Sequence, residues 1–285
     1  MAAIVYIFLC IAWGSTWTAI KIGLQDAPPF YAAGIRMLLA GFILLVYNHF
    51  AGNRYPEGAA EKWKVAWPGI LMYGASYALV YFGNQYVSSS LASILFAVFP
   101  FFVIILVSFL VKSEKVTKRA LVGMVIGFAG LVIIFNGPIS LNTNSIFGGG
   151  LIVVATLCSA YATVHIRAYL NDRPIFPMIA MQMILGGSLM LIVAIMVEDF
   201  STFRLTSVTV GSILYLAVIG SILTFSGYYW LLRRIATVKA SLIAFVTPII
   251  AIFLGYLILN EQLSRQDYLG SALVLFGVLL ANIKK

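Results

Sequence analysis

The sequence predicts an all-α, polytopic membrane protein: ten transmembrane helices as two inverted five-helix repeats around a central cavity. Composition, the placement of basic residues and an internal repeat carry that reading. Of 285 residues, 62% are hydrophobic and 9% charged, whereas a soluble domain has about a quarter charged residues. So little polar surface cannot face water all round, so lipid must cover the outside. The net charge of +9 comes with no basic stripe and no aromatic RNA-binding signature, so no nucleic-acid partner is expected. Cys10 and Cys158 lie in apolar runs and form no Cys-x-x-Cys pair; they read as small core residues.

A membrane helix needs about 20 mostly apolar residues. The candidate spans, numbered 1 to 10, are 3–25, 31–50, 65–85, 91–111, 120–136, 147–169, 176–197, 208–232, 240–259 and 268–283. Ala27-Pro28-Pro29, Gly52-Asn53-Arg54-Tyr55-Pro56, Ser88-Ser89-Ser90, Asn136-Gly137-Pro138 and Asn171-Asp172-Arg173-Pro174 supply turn chemistry between them. The first run lacks a basic leading segment and carries Trp13, Trp17 and Lys21. It reads as a retained helix rather than a cleaved signal.

Orientation follows from loop charge. With the N-terminus in the cytoplasm, the inner loops and tail hold fourteen of the eighteen Lys and Arg residues, and the outer loops only Arg204 and Arg265. Both termini are therefore expected on the cytoplasmic side of an inner membrane. The positive charge is a topological signal that also attracts anionic lipid.

The chain repeats itself. Residues 91–100 resemble 239–248 at an offset of 148, and Glu114, Gly123 and Gly130 match Glu261, Gly270 and Gly277 at 147. Ser15 and Trp17 match Ser159 and Tyr161 more weakly. Five spans per half is odd, so the halves, 1–137 and 138–285, are expected to enter the membrane in opposite senses, a pattern that recurs in secondary transporters.

Trp13-Gly14-Ser15-Thr16-Trp17 with Lys21, Gly34-Ile35-Arg36-Met37-Leu38-Leu39-Ala40, and the two Ala-Ser-to-Pro segments with their following Glu resemble the drug/metabolite transporter superfamily, in its EamA-type branch. The resemblance covers essentially the whole chain as two EamA-like halves. It implies a central cavity lined mainly by spans 1, 3, 4, 6, 8 and 9, and export of amino acids or other metabolites. The second half departs from the pattern, with Gln182 where the first has Arg36 and His165 where it has Lys21.

Candidate site residues follow. Tyr73, Tyr77, Tyr81 and Gln85 recur every four residues, with Asn84 adjacent. A polar-tipped stripe is costly in lipid, so it should face inward, although single rings often serve packing or the interface belt. Phe225, Tyr228, Tyr229 and Trp230 stand at the related place in span 8. The substrate-contact set is Trp17, Tyr77, Tyr81, Asn84, Tyr161 and Tyr229, with Lys21 as a contact for an anionic group. Lys21 and Arg36 are the basic residues within spans. Each either snorkels outward or meets substrate, and Arg36 has the further option of pairing with helix carbonyls to pin the first hairpin. Pro100 and Pro248 free the carbonyls of Phe96 and Ala244 and read as static kinks or as hinges. His165 reads as an interfacial histidine or as a proton-linked group. Gly123, Gly127, Gly130, Gly270 and Gly277 permit close helix contact, either between the halves or in a homodimer, so monomer and homodimer both stay open.

No Asp or Glu falls inside a candidate span, which argues against a carboxylate-driven proton antiporter. No metal-ligand cluster, nucleophile elbow or phosphate loop is present, so no cofactor and no enzyme activity are expected. The expected function is export or exchange of amino acids or similar small metabolites by alternating access. The alternatives are an organic-cation exporter, a nucleotide-sugar or phosphosugar exchanger, and an intramembrane enzyme or receptor.

Overall fold

The computed structural model describes residues 1–87, 89–114, 116–134, 143–259 and 265–282, and these are mostly helical with no strand among them. The turn at Asn136-Gly137-Pro138, Ser88, Lys115, Glu261 and the terminal lysines lie outside the described residues.

Helices α1 (Ala2–Gly23) and α2 (Pro29–Phe50) form the first hairpin. Pro29 starts α2, where its missing N–H costs nothing. The Glu198 carboxylate accepts hydrogen bonds from the next two amides, Phe30 (2.8 Å) and Tyr31 (2.9 Å). A negative charge is favoured at a helix N-terminus, so the far half of the chain caps this helix.

Next come α3 (Ala59–Ala66), a π-helical segment at Ile70–Ser76 and α4 (Tyr77–Gly83). The chain bends by 48° between α3 and the π segment. Helices α5 (Ser89–Phe96) and α6 (Phe99–Leu110) are separated at Ala97 and Val98, and α7 (Lys118–Ile134) ends this half. The second half holds α8 (Thr143–Tyr169), α9 (Ile175–Val197), α10 (Ser207–Ala217), a second π segment at Val218–Leu223 and α11 (Thr224–Leu232). It ends with α12 (Thr237–Ser241), α13 (Ile243–Leu259) and α14 (Arg265–Asn282). The two π segments start 148 residues apart, matching the sequence repeat.

By length and apolarity α1, α2, α8, α9 and the run Ser207–Leu232 each cross a bilayer, and the bent α3–α4 stretch makes a sixth. Span 4 is split into two pieces, and in span 9 a single turn residue divides α12 from α13. The interruption of span 4 falls at Ala97–Val98, and Pro100 sits in the first turn of α6. In span 9 the interruption falls at Leu242, and Pro248 stays inside α13. The carbonyl that Pro248 leaves without its amide donor is that of Ala244, and the Thr247 hydroxyl donates to it at 3.2 Å. That bond removes the polar cost a freed carbonyl carries in lipid.

Helix packing here relies on close backbone approach rather than on the hydrophobic effect. A Cβ on Gly123 would lie 2.4 Å from the Gly277 carbonyl oxygen, and one on Gly130 2.6 Å from that of Gly270. The residue pairing makes α7 and α14 antiparallel, and these glycines are consumed between the halves. Gly34 faces Leu191, and Gly41 faces Ile184, so α2 and α9 also run antiparallel. The α1 helix lies antiparallel to α10–α11, with Ser212 Oγ donating to the Ala19 carbonyl (2.7 Å) and Thr16 against Gly220. The α8 helix lies antiparallel to the π segment and α4, with Ser76 and Ser159 hydroxyls 2.6 Å apart.

Candidate functional site

A cavity of about 120 Å³ lies among α1, the Ile70–Ser76 segment with α4, α5–α6, α8, α11 and α12–α13, with Arg36 of α2 entering its wall. These pieces belong to spans 1, 3, 4, 6, 8 and 9. Trp13, Trp17, Phe96, Phe99, Phe225 and Tyr228 line it with aromatic surface. The rings interlock: Trp13 meets Phe225 and Tyr228 edge-on at 5.5 and 5.1 Å, and Trp17 meets Phe96 at 6.1 Å.

The formal charge of the wall is Arg36, 1% exposed. Its Nε donates to Ser221 Oγ (3.0 Å), Nη2 to the Gly220 carbonyl (2.9 Å) and Nη1 to Tyr81 Oη (3.3 Å). Its guanidinium carbon stands 5.0 Å from the centre of the Tyr77 ring, a cation–π contact. A guanidinium has five N–H donors, and here every partner they meet is neutral. None of the ion pairs among the described residues includes it. An unpaired buried charge costs several kcal/mol, and here neutral dipoles offset part of that cost.

The π segment explains where Arg36 finds its acceptors. A π turn shifts the i→i+4 ladder, and Gly220 within it presents its carbonyl with no side chain in the way. A Cβ on Gly220 would lie 3.0 Å from Arg36 Nη2. The second half answers with its own equivalent: Gln182 Nε2 donates to the Val65 carbonyl at 2.9 Å, beside Gly69 and the bend of span 3. Each half thus places one polar side chain of its second span against the broken helix of the other.

Two further polar groups on the wall, Thr163 Oγ1 and Tyr228 Oη, are buried within reach of one another. One turn before Ala240 and Ser241, at Thr237, lies a cluster around Glu114. Its carboxylate meets Arg167 Nε at 2.8 Å and accepts from the Thr237 amide (2.7 Å) and hydroxyl (2.9 Å). Arg167 also donates to the Leu232 carbonyl at 2.6 Å. Loop residues of the first half thereby hold the ends of α8, α11 and α12.

Trp17 and Tyr77 line the cavity. Tyr81 lies behind the wall as an Arg36 partner, and Tyr229 lies buried with its hydroxyl 3.2 Å from that of Tyr73. The π segment takes Tyr73 out of the four-residue stripe and turns it toward Tyr229. Tyr161 packs with Trp67 and His165 (6.3 and 6.0 Å) outside the lining. His165 sits against Trp67 at 4.6 Å, beside the bend of span 3, and its Nδ1 has no partner. Asn84 is the C-cap of α4, and Lys21 is exposed in the last turn of α1; neither is in the lining. The sequence reading left Arg36, Thr163 and Tyr228 out of the substrate-contact set. For Arg36 the available signal was a basic residue inside an apolar span.

The model of the EamA-like transporter family matches residues 1–136 and again 146–283. The chain belongs to the EamA-like transporter family. Among EamA-like relatives, the inner membrane transporter YedA of Escherichia coli K12 is 30% identical over 97% of this chain and 89% of its own. The transporter YoaV of Bacillus subtilis is 28% identical, over 96% of this chain and 94% of its own. A protein of known crystal structure shares the fold with a TM-score of 0.85 at 15% identity, covering 99% of this chain and 96% of the other. The EamA-like chain described here is a membrane transporter, and its relatives carry transporter names rather than enzyme names.

Proposed function

We infer that this EamA-like protein is a secondary transporter that exports or exchanges small apolar or aromatic metabolites carrying a carboxylate, amino acids among them, by alternating access. The observation that carries the reading is the Arg36-bearing cavity held between two halves whose equivalent helices run antiparallel. That arrangement supports an inverted repeat with the divide near 137, and the loop charge of the sequence supports both termini in the cytoplasm. Such halves rock about a central site. The Glu114 cluster closes the cytoplasmic side of the cavity, so opening inward requires its separation from Arg167 and Thr237. The interruptions at Ala97–Val98 and Leu242 supply bending points, with Pro100 and Pro248 keeping the adjoining backbone pliant.

Trp17 and Tyr77 supply stacking surface, and Arg36 supplies charge. Tyr81 and Tyr229 act from behind the wall by holding Arg36 and Tyr73. A buried guanidinium disfavours organic cations. A volume of about 120 Å³ is small beside the 300–1,000 Å³ of drug-sized sites, and disfavours nucleotide sugars. The test is reconstitution into liposomes with a panel of labelled amino acids, aromatic acids, nucleosides and organic cations. The account expects saturable, protein-dependent flux of the carboxylate-bearing compounds. Equal leakage with and without protein for the whole panel contradicts it.

A further inference from the structure

Within that carboxylate-bearing class, we propose that the cavity prefers solutes of net negative charge, small aromatic or apolar monocarboxylates without a compensating ammonium group, over zwitterionic amino acids, and that the membrane potential drives their efflux. The proposal rests on the transport reading above and names the substrate class of that same cavity.

The wall has a single formal charge, the Arg36 guanidinium, and that charge has no carboxylate against it. Its partners are all neutral, the Ser221 and Tyr81 hydroxyls, the Gly220 carbonyl and the Tyr77 ring, so one carboxylate can exchange for the weaker of them in a charge-assisted pair. Such a pair neutralises the site. A zwitterion would bring in an ammonium group for which the wall holds no counter-charge. Hydroxyl protons on the wall are already turned to backbone carbonyls: Thr16 to Trp13, Ser241 to Val238 and Thr247 to Ala244. The Thr163 and Tyr228 hydroxyls on the same wall are neutral and fit a hydroxyl on the body of the solute.

The same charge count bears on energetics. No Asp or Glu lies within the membrane spans of this sequence to relay protons. A carried monoanion needs none, because an inside-negative potential of 100 mV sustains about a fiftyfold outward concentration ratio by itself.

The experiment uses full-length protein in liposomes, with valinomycin and a potassium gradient setting the potential and no pH gradient. The probes share one ring and differ in charge: 4-hydroxyphenylacetate, tyrosine and tyramine. The proposal expects 4-hydroxyphenylacetate to accumulate when the interior is positive and to be expelled when it is negative, with tyrosine and tyramine at least tenfold slower. Arg36→Gln, eluting as a monodisperse species, is expected to lose at least tenfold of the anion flux. Preferred movement of tyrosine or tyramine, anion flux indifferent to the imposed potential, or a folded Arg36→Gln with unchanged flux would overturn the proposal. Should that variant not fold, the comparison of the three probes on the wild type decides alone. If other solutes cross while the carboxylate does not, this proposal falls and the transport reading stands; if nothing crosses, both fall.

Discussion

Arg36 is held by three neutral acceptors and one ring, and each has a different consequence when removed. Tyr81→Phe takes away a long 3.3 Å bond and leaves Ser221 and Gly220 in place. A hydrogen bond to a charged group is worth about 1.5–3 kcal/mol, and a long one less, so the expected loss is about 1 kcal/mol in a detergent melting experiment. A drop several times larger would mean that Arg36 depends on Tyr81 in a way its other contacts do not show. Tyr77→Ala removes both the cation–π contact and wall surface, and is expected to weaken binding of an aromatic solute about tenfold, read from quenching of Trp13 and Trp17 fluorescence. Wild-type affinity in that variant would remove Tyr77 from the site. The aromatic residues of the wall were legible from spacing alone, as Trp17 and Tyr77 show. Tyr81 and Tyr229 were legible as inward-facing, but not as residues behind the wall. A four-residue stripe presumes an unbroken α-helix, and the Ile70–Ser76 segment is not one. Thr163 stayed silent because a lone hydroxyl on an apolar helix carries no sequence signal.

At the scale of elements, backbone contact between glycines sets the packing. Gly277→Val would push its side chain into the backbone of Gly123, whose carbonyl oxygen is 2.4 Å from the first added carbon. Overpacking costs about 1–3 kcal/mol where side chains can yield, and backbone yields less. The melting midpoint is expected to fall clearly, and an unchanged midpoint would show that α7 and α14 part freely. The Glu114 cluster works between elements in another way. Its side chain is 9% exposed and that of Arg167 is 18%, so breaking the pair leaves a poorly solvated guanidinium, at a cost of order 3–5 kcal/mol in buried cases. Glu114→Gln keeps an acceptor for Thr237 but loses the ion pair. It is expected to speed labelling of a cysteine placed at Ala240 by a membrane-impermeant thiol reagent from the cytoplasmic side. Slower or unchanged labelling would show that the cluster does not gate the cavity. The limits of sequence reading show here as well. Pro248 drew attention as a breaking point, yet the hydroxyl of the preceding Thr247 satisfies the carbonyl that it frees, and the break lies at Leu242.

For the whole molecule, the membrane-helical class was the most legible level, because apolar runs are sums over many residues. The repeat offset of 148 recurs as the spacing of the two π segments, a backbone feature that no residue pattern announced. The helix breaks shortened several spans, for the same reason that they position the cavity: irregular backbone inside a bilayer is tolerated only where protein or a cavity meets it. Opposed halves predict a definite topology. Reporters inserted at Gly52 and at Lys285 should report the cytoplasm, and one at Thr202 the outer side; Gly52 and Thr202 on one side would break the proposed inversion, and a full reversal would overturn the orientation.

Alternating access is tested most directly by locking the closed end. Cysteines replace Glu114 and Thr237, whose groups are in hydrogen-bond contact, after Cys10 and Cys158 are changed to alanine. Flux of the best-carried solute of the reconstitution panel is then followed before oxidation, after it, and after reduction. The account predicts that the disulfide stops flux and that reduction restores it. Undiminished flux through the oxidised, cross-linked protein would contradict it.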